Sequence, residues 1–222
     1  MEHTVKILKI NQITHDVKEF LTEKPEGFSF VPGQATVVSV NKPGLENDKR
    51  PFTFTSLNDE KNLGFTIKIY PEKQGVTDSM DELKEGDELI INGPWGAIKY
   101  KGPGYFIAGG AGITPFLAIL RQLKKDGNVD GNMLFFSNKT RKDIILEDEL
   151  RDILGDQAIF NLTRENHPDY QYGHIDEAFL KEHIKDLNKE FYVCGTPEMT
   201  DEISKALEKL GASPDSVVFE GK

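Results

Sequence analysis

The sequence predicts two domains of different class. Residues 1–100 read as an antiparallel β-barrel or sandwich, and residues 101–222 as an α/β domain around a five-stranded parallel sheet. Three features carry this prediction. The first hundred residues hold short apolar-alternating segments separated by Gly, Pro and Asn. Beyond Gly102-Pro103-Gly104, strand-like and helix-like segments alternate, the pattern of right-handed crossovers between parallel strands. A glycine-rich loop joins the first strand of that second half to its first helix.

In the first half the candidate strands are Val5–Ile10, Val17–Leu21, Ala35–Val40, Pro51–Ser56, Leu63–Tyr70 and Glu88–Asn92. Pro32-Gly33 and Pro43-Gly44 are turn signals, because Pro presets one torsion and Gly tolerates the other. Asp78–Leu83 reads as one short helix ended by Gly86. In the second half the strands are Tyr105–Ala108, Met133–Ser137, Ala158–Thr163, Phe191–Cys194 and Val217–Phe219. Thr114 reads as the cap of the first helix, with Pro115 at its first position. Phe116, Ile119, Leu120 and Leu123 recur there at helical spacing. Leu146–Leu154, Asp176–Ile184 and Met199–Leu210 are the remaining helices, the last closed by Gly211.

Composition excludes several functions. The chain has 222 residues, 37% hydrophobic and 29% charged, and no apolar run near the roughly 20 residues of a membrane span. Met1-Glu2-His3-Thr4 leads directly into a strand-like segment without a signal-peptide block, so the expected location is cytoplasmic. One cysteine, Cys194, rules out an internal disulfide and a four-thiolate iron–sulfur or zinc site from this chain alone. The five histidines show no metal-ligand spacing, and no metal site is expected. A formal charge of −10 argues against nucleic acid as a partner.

The chemistry gathers in a few stretches. Arg50-Pro51-Phe52-Thr53-Phe54-Thr55-Ser56 combines a permanent cation, two rings and three hydroxyls on a strand-like pattern. It can offer charge-assisted hydrogen bonds to phosphate, a ring face to a planar ligand and hydroxyls at its edge. An amphipathic strand with a surface Arg fits the same seven residues. Gly109-Gly110-Ala111-Gly112-Ile113-Thr114-Pro115 lets a backbone approach a diphosphate near free helix-start amides, although a tight structural turn needs glycines too. It departs from GxGxxG because Pro115 takes the place of the third Gly.

Tyr192-Val193-Cys194-Gly195-Thr196-Pro197 follows the fourth strand in the same way. In an open parallel sheet the first and fourth strands are neighbours, so the two loops should face each other beyond the strand ends. Cys194 is either an inert hydrophobe or a contact for a bound ring. Gly75-Val76-Thr77 can hold phosphate or simply cap the short helix. Trp95, in Gly93-Pro94-Trp95-Gly96 at the junction, reads as packing rather than catalysis.

Taken together, the five motifs resemble the ferredoxin–NADP reductase superfamily, and more closely its short bacterial flavodoxin-reductase-like members, over essentially the whole chain. That family has an Arg-x-Tyr/Phe-Ser/Thr segment, a glycine turn with Ser or Thr, Gly-Pro-x-Gly, Gly-Gly-x-Gly-x-Thr-Pro and Cys-Gly-x-Pro, and all five occur here in that order. The resemblance implies a flavin-binding Greek-key barrel and an NAD(P)-binding domain. It implies a cytoplasmic flavoprotein oxidoreductase that takes a hydride from NADPH or NADH onto N5 of FAD, in preference to FMN. Arg50 and Pro51 would meet the flavin diphosphate, Phe52 its ring, and Thr53 its N5. Ile67, Lys68, Ile69 and Tyr70 would line its edge, with Gly75, Val76 and Thr77 around its phosphates.

On the same resemblance Gly110, Gly112, Thr114, Pro115, Cys194, Gly195 and Pro197 would bracket the nicotinamide nucleotide. Lys139 and Arg164 would meet its adenosine phosphate, and Phe219 and Glu220 would reach the active site. Thr53, Cys194 and Glu220 would be the catalytic positions.

A 2′-phosphate needs local cations, which Lys139, Arg141, Lys142 and Arg164 can supply, whereas His174 stands where several phosphate-selective relatives have Arg. The donor is therefore NAD(P)H. With no cluster or haem domain in the sequence, a monomer passing electrons to a flavodoxin, ferredoxin or haem protein is expected. Lys68, Lys73, Lys84, Lys99 and Lys101 can form a docking face or an ordinary solvated surface. A relay subunit of a larger complex and a non-catalytic regulatory module are the other classes that fit.

Overall fold

A computed structural model describes residues 1–70, 76–96 and 98–219. The first sheet contains β1 (His3–Thr14), β2 (Val17–Glu23), β3 (Ala35–Val40), β4 (Arg50–Thr53), β5 (Asn62–Lys68) and β6 (Glu88–Ile91). Its order is β4-β3-β6-β1-β2-β5, and every pairing is antiparallel. β1 is longer than its apolar pattern predicts because it serves two partners. Residues 3–6 pair with β6 and residues 7–14 with β2, the latter pairing shifting register between Ile7 and Lys9 and between Gln12 and Thr14.

The barrel closes where the predicted strand 51–56 changes partner. β4 pairs with β3 only as far as Thr53, and the Phe54 amide still reaches the Gln34 carbonyl. The Thr55 amide then donates to the Gly64 carbonyl of β5 at 2.8 Å, and the Gly64 amide donates to Ser56 Oγ at 2.9 Å. The segment is therefore a seam joining the two sheet edges rather than one strand. Removing both edges satisfies backbone groups that an open sheet would leave unpaired. Phe54 beneath the seam is fully buried and stacks on Phe30 at 4.3 Å.

The short helix α1 spans Val76–Asp81, and so begins and ends two residues earlier than predicted. Gly86 does not end it. With φ of +95° it turns the chain into β6, its amide donating to the Ile7 carbonyl.

The second half contains β7 (Gly104–Gly109), α2 (Thr114–Asp126), β8 (Met133–Asn138), α3 (Glu147–Leu154), β9 (Ala158–Leu162), β10 (Gln171–Tyr172), α4 (Glu177–His183), β11 (Glu190–Cys194), α5 (Pro197–Leu210) and β12 (Val217–Phe219). The order is β10-β9-β8-β7-β11-β12, all parallel, so the sheet has six strands rather than the five expected. β10 escaped the sequence because two exposed residues carry no alternation.

Thr114 is not the cap of α2. A 3₁₀ turn over Gly110–Ile113 runs straight into the helix, Thr114 is itself helical, and its hydroxyl donates to the Ala111 carbonyl at 3.0 Å. Asp176 and Thr196 do cap α4 and α5, accepting from the Phe179 and Met199 amides.

The two halves share buried surface. Val17 and Ile98 of the barrel lie in one apolar cluster with Phe106, Phe116, Ile119 and Tyr192. Gly33, at φ +92°, is wedged against α2, where a Cβ would stand 2.1 Å from the Ile98 carbonyl oxygen and 3.1 Å from Ile119 Cδ1. The Tyr192 hydroxyl accepts from the Lys101 and Gly102 amides and donates to the Gly102 carbonyl, clamping the junction.

Candidate functional site at the domain interface

The two glycine loops meet. β7 and β11 are neighbours with Ala108 opposite Cys194. A Cβ on Gly112 would stand 2.3 Å from the Cys194 carbonyl oxygen, and one on Gly109 would stand 2.4 Å from Met199 Sδ. At Gly112 the opposing atoms are backbone and exclude any side chain, whereas at Gly109 the Met199 side chain would have to move. Gly110 is different: its φ is +52° and the space beside it is open. A cleft of about 680 Å³ opens there, bounded by Gly109–Ala111, Ser137–Lys139, Thr163, Arg164 and Thr196 on the sheet side and by Lys68 and Tyr70 on the barrel side.

The far end of the cleft is basic. The ends of β8 and β9 are tied together by Thr163 N–H donating to the Asn138 carbonyl and Arg164 N–H to the Lys139 carbonyl, both at 2.9 Å. Neither Lys139 nor Arg164 has a carboxylate partner among the described residues. Asn138 was missed by the sequence reading. Its side chain is 5% exposed, lines the cleft, and has both amide atoms without a partner among the described residues. Leaving such a group unsatisfied costs about 1–3 kcal/mol, so the pocket suits a polar ligand.

On the barrel wall the structure separates the predicted residues. Arg50 is exposed, its guanidinium contacting only the Lys49 carbonyl among the described residues. Pro51 is exposed beside it, and Phe52 is half-buried against the barrel core. Thr53 is 6% exposed, and no hydrogen bond to its hydroxyl is present among the described residues. Ile67 and Ile69 point into the core, so the pleat leaves Lys68 and Tyr70 to face the cleft.

Lys68 is not available for a docking face, because it pairs with Asp16 at 2.7 Å. Burial alone would raise the Asp16 carboxyl, but the Lys68 hydrogen bond, with Thr14 and the charges of Lys68 and His15, holds it below the ordinary aspartate range. His15 links this group to Asp143 of the other half at 3.6 Å.

Thr77 lies half-buried in the first turn of α1, whereas Gly75, Lys73 and the Val76 side chain lie outside the described residues. Gly195 and the exposed Pro197 open α5. Cys194 is 5% exposed and belongs to the apolar cluster shared by the halves. Phe219 ends β12, and its side chain and Glu220 lie outside the described residues.

This geometry can be set beside known proteins. Residues 4–100 match the family model for an oxidoreductase FAD-binding domain, and residues 106–205 that for an oxidoreductase NAD-binding domain. NADH-cytochrome b5 reductase 1 of Bos taurus is 31% identical over 204 residues, 74% of this chain and 67% of that protein. The chain belongs to the ferredoxin–NADP reductase superfamily. The reductase component of a naphthalene 1,2-dioxygenase system from Pseudomonas putida is a more distant member, 23% identical over 97% of this chain and 69% of that protein. The superfamily fold is shared with the flavohem-like FAD/NAD-binding domain of nitric oxide dioxygenase from Vibrio cholerae, with TM-score 0.87, 20% identity, and 98% and 97% of the two chains covered. As a superfamily member this chain is an NAD(P)H-dependent flavoprotein reductase.

The described residues fit FAD and a nicotinamide nucleotide. An exposed guanidinium and an unengaged hydroxyl lie along the seam, and open space beside Gly110 and a buried unpartnered amide line the cleft. No helix among the described residues is long and apolar enough to cross a membrane.

Proposed function

We propose that hydride from NADPH or NADH is received at this cleft and that the electrons leave for a separate carrier protein. The observation that carries the reading is one cleft in which the first glycine loop and Thr196 of the second face Lys68 and Tyr70 at the end of β5. FAD, when bound, supplies the N5 that accepts hydride and a ring able to release electrons onward.

Arg50, with Pro51 setting its backbone, holds the diphosphate by charge-assisted hydrogen bonds. Phe52 offers its ring to the flavin, and Thr53 directs a hydroxyl from a nearly water-free position toward the reacting edge. Lys68 and Tyr70 bound the cleft beside it, and Thr77, with Gly75 and Val76, meets phosphate. Gly110, Gly112, Thr114 and Pro115 face Gly195 and Pro197 to hold the nicotinamide nucleotide, with Cys194 as apolar surface beneath. Asn138, Lys139 and Arg164 receive the adenosine end. The two unpaired cations suit the extra phosphate of NADPH. Phe219 and Glu220 are assigned to the active-site edge by family resemblance alone.

The acceptor is a separate electron carrier such as a ferredoxin, flavodoxin or haem protein, in keeping with the b5-reductase and dioxygenase-reductase names of the relatives. The deciding experiment is a visible spectrum of the purified protein followed by anaerobic addition of NADH or NADPH. Flavin bands that bleach, and faster with NADPH, support the assignment. Bands that neither nucleotide bleaches would favour a relay subunit or regulatory module. Thr53→Val is expected to slow bleaching about fivefold, the worth of one hydrogen bond of about 1 kcal/mol, while flavin affinity changes less.

A further inference from the structure

Arg121 lies on α2, two turns beyond the glycine loop, in an otherwise apolar stretch of helix. Its side chain is 20% exposed. Nε and Nη2 donate to the two oxygens of Glu149 on α3 at 2.6 and 2.8 Å, and Nη1 donates to the Thr55 carbonyl. Thr55 is the fully buried centre of the seam. Its amide bonds the Gly64 carbonyl of β5, and its hydroxyl lies 3.2 Å from that of Thr66. One planar fork therefore joins the seam, the helix that carries the nicotinamide-side loop, and α3 beside them.

Among the described residues the other side-chain ties between the halves are weaker. Lys125–Asp59 joins half-exposed side chains, His15–Asp143 spans 3.6 Å, and Tyr100–Asn132 is a neutral hydrogen bond of 3.3 Å beside the junction. The shared apolar cluster supplies attraction without direction, so it resists separation better than sliding. The guanidinium fixes both distance and angle, which a Lys ammonium cannot do with a single point charge.

We propose that Arg121 is a positioning residue for hydride transfer, setting the flavin-bearing seam at a fixed distance from the loops that hold the nicotinamide. The proposal rests on the reductase reading above. Arg121 does not line the cleft, so its loss should change the rate at saturating donor more than donor binding.

The test compares wild type, Arg121→Met and Arg121→Lys by anaerobic stopped-flow reduction, well below the unfolding temperature. Amide hydrogen exchange of Thr55 and Gly64 is followed without nucleotide. Arg121→Met should keep its flavin and be reduced about tenfold more slowly at saturation, with donor KM within about twofold, because small misplacements are costly in rate. Thr55 protection should fall with it, and Arg121→Lys should lie between. A role confined to stability lowers the melting temperature but leaves the saturating rate alone. Wild-type saturating rate or unchanged Thr55 protection in Arg121→Met overturns the proposal. If that variant does not fold, the same result in Arg121→Lys does so. A wild-type protein reduced by neither nucleotide overturns the reductase reading instead, which separates the two failures.

Discussion

The glycine loops and the barrel seam are built on opposite principles. The loops are defined by what is missing: at Gly109 and Gly112 neighbouring atoms occupy the volume where a side chain would be. The seam is defined by what it presents, a cation at Arg50 and an unengaged hydroxyl at Thr53. The first is shape fixed by internal contacts, and the second is chemistry held out toward a ligand. Substitutions on the first should damage the protein itself, and substitutions on the second should damage only what it holds.

The sharpest way to break that contrast is Gly112→Ala. Its methyl must displace the Cys194 carbonyl, so unfolding in urea should show a loss of about 1–3 kcal/mol, and flavin reduction by NAD(P)H should fail. Native stability would show that the loops can part. Arg50→Ala comes next, with no change in the urea midpoint. Titration of FAD into the apoprotein should show affinity about 10–100-fold weaker, the worth of a hydrogen bond to a charged group. A drop in stability without a drop in affinity would move Arg50 to the structural side.

Asn138→Leu tests the contrast where the two differ least. Removing an unpartnered buried amide should leave stability equal or raised by about 1 kcal/mol. NADP⁺ binding by calorimetry should weaken about tenfold as one hydrogen-bonding partner is lost.

The smallest effect concerns Asp16. Its folded pKa is lowered, so its contribution to stability is complete above the ordinary aspartate value of about 3.9 and is lost as the pH falls through the folded value. Lys68→Met should flatten that acid limb in urea midpoints measured from pH 5 downward, while neutral-pH stability shifts by about 0–1 kcal/mol. An unaltered acid limb would remove Lys68 from the account.

The same contrast explains what the sequence disclosed. Glycines in Gly109–Gly112 and the alternation of strand and helix are local signals, and the fold of the second half follows from them. The change of partner at Phe54 and Thr55 is non-local, because the segment looks like a strand wherever its neighbours lie. Ile67 and Ile69 were expected at the ligand, although the alternation Ile67-Lys68-Ile69-Tyr70 already assigns them to the core.

Thr114 looked like a cap because its residue type and the following Pro fit one, while the 3₁₀ turn before it has no distinct composition. Asn138 lies one residue beyond the predicted strand Met133–Ser137, and its residue type alone gave no signal. Its position on the same face as Phe136 and Leu134, level with the glycine loop in the adjacent strand, was the available clue. Arg121 had one signal as well, a cation within an apolar helix stretch, but its partners Thr55 and Glu149 lie far apart in the chain.

Trp95 is the sole tryptophan in the chain, and its backbone bridges Ala35, which pairs with Thr53 across the β3–β4 ladder. Indole emission overlaps flavin absorption, so a flavin held along the seam would drain the excited state by energy transfer. Ultraviolet excitation of this protein would then report cofactor occupancy without any label, bright when the barrel is empty and dim when it is loaded.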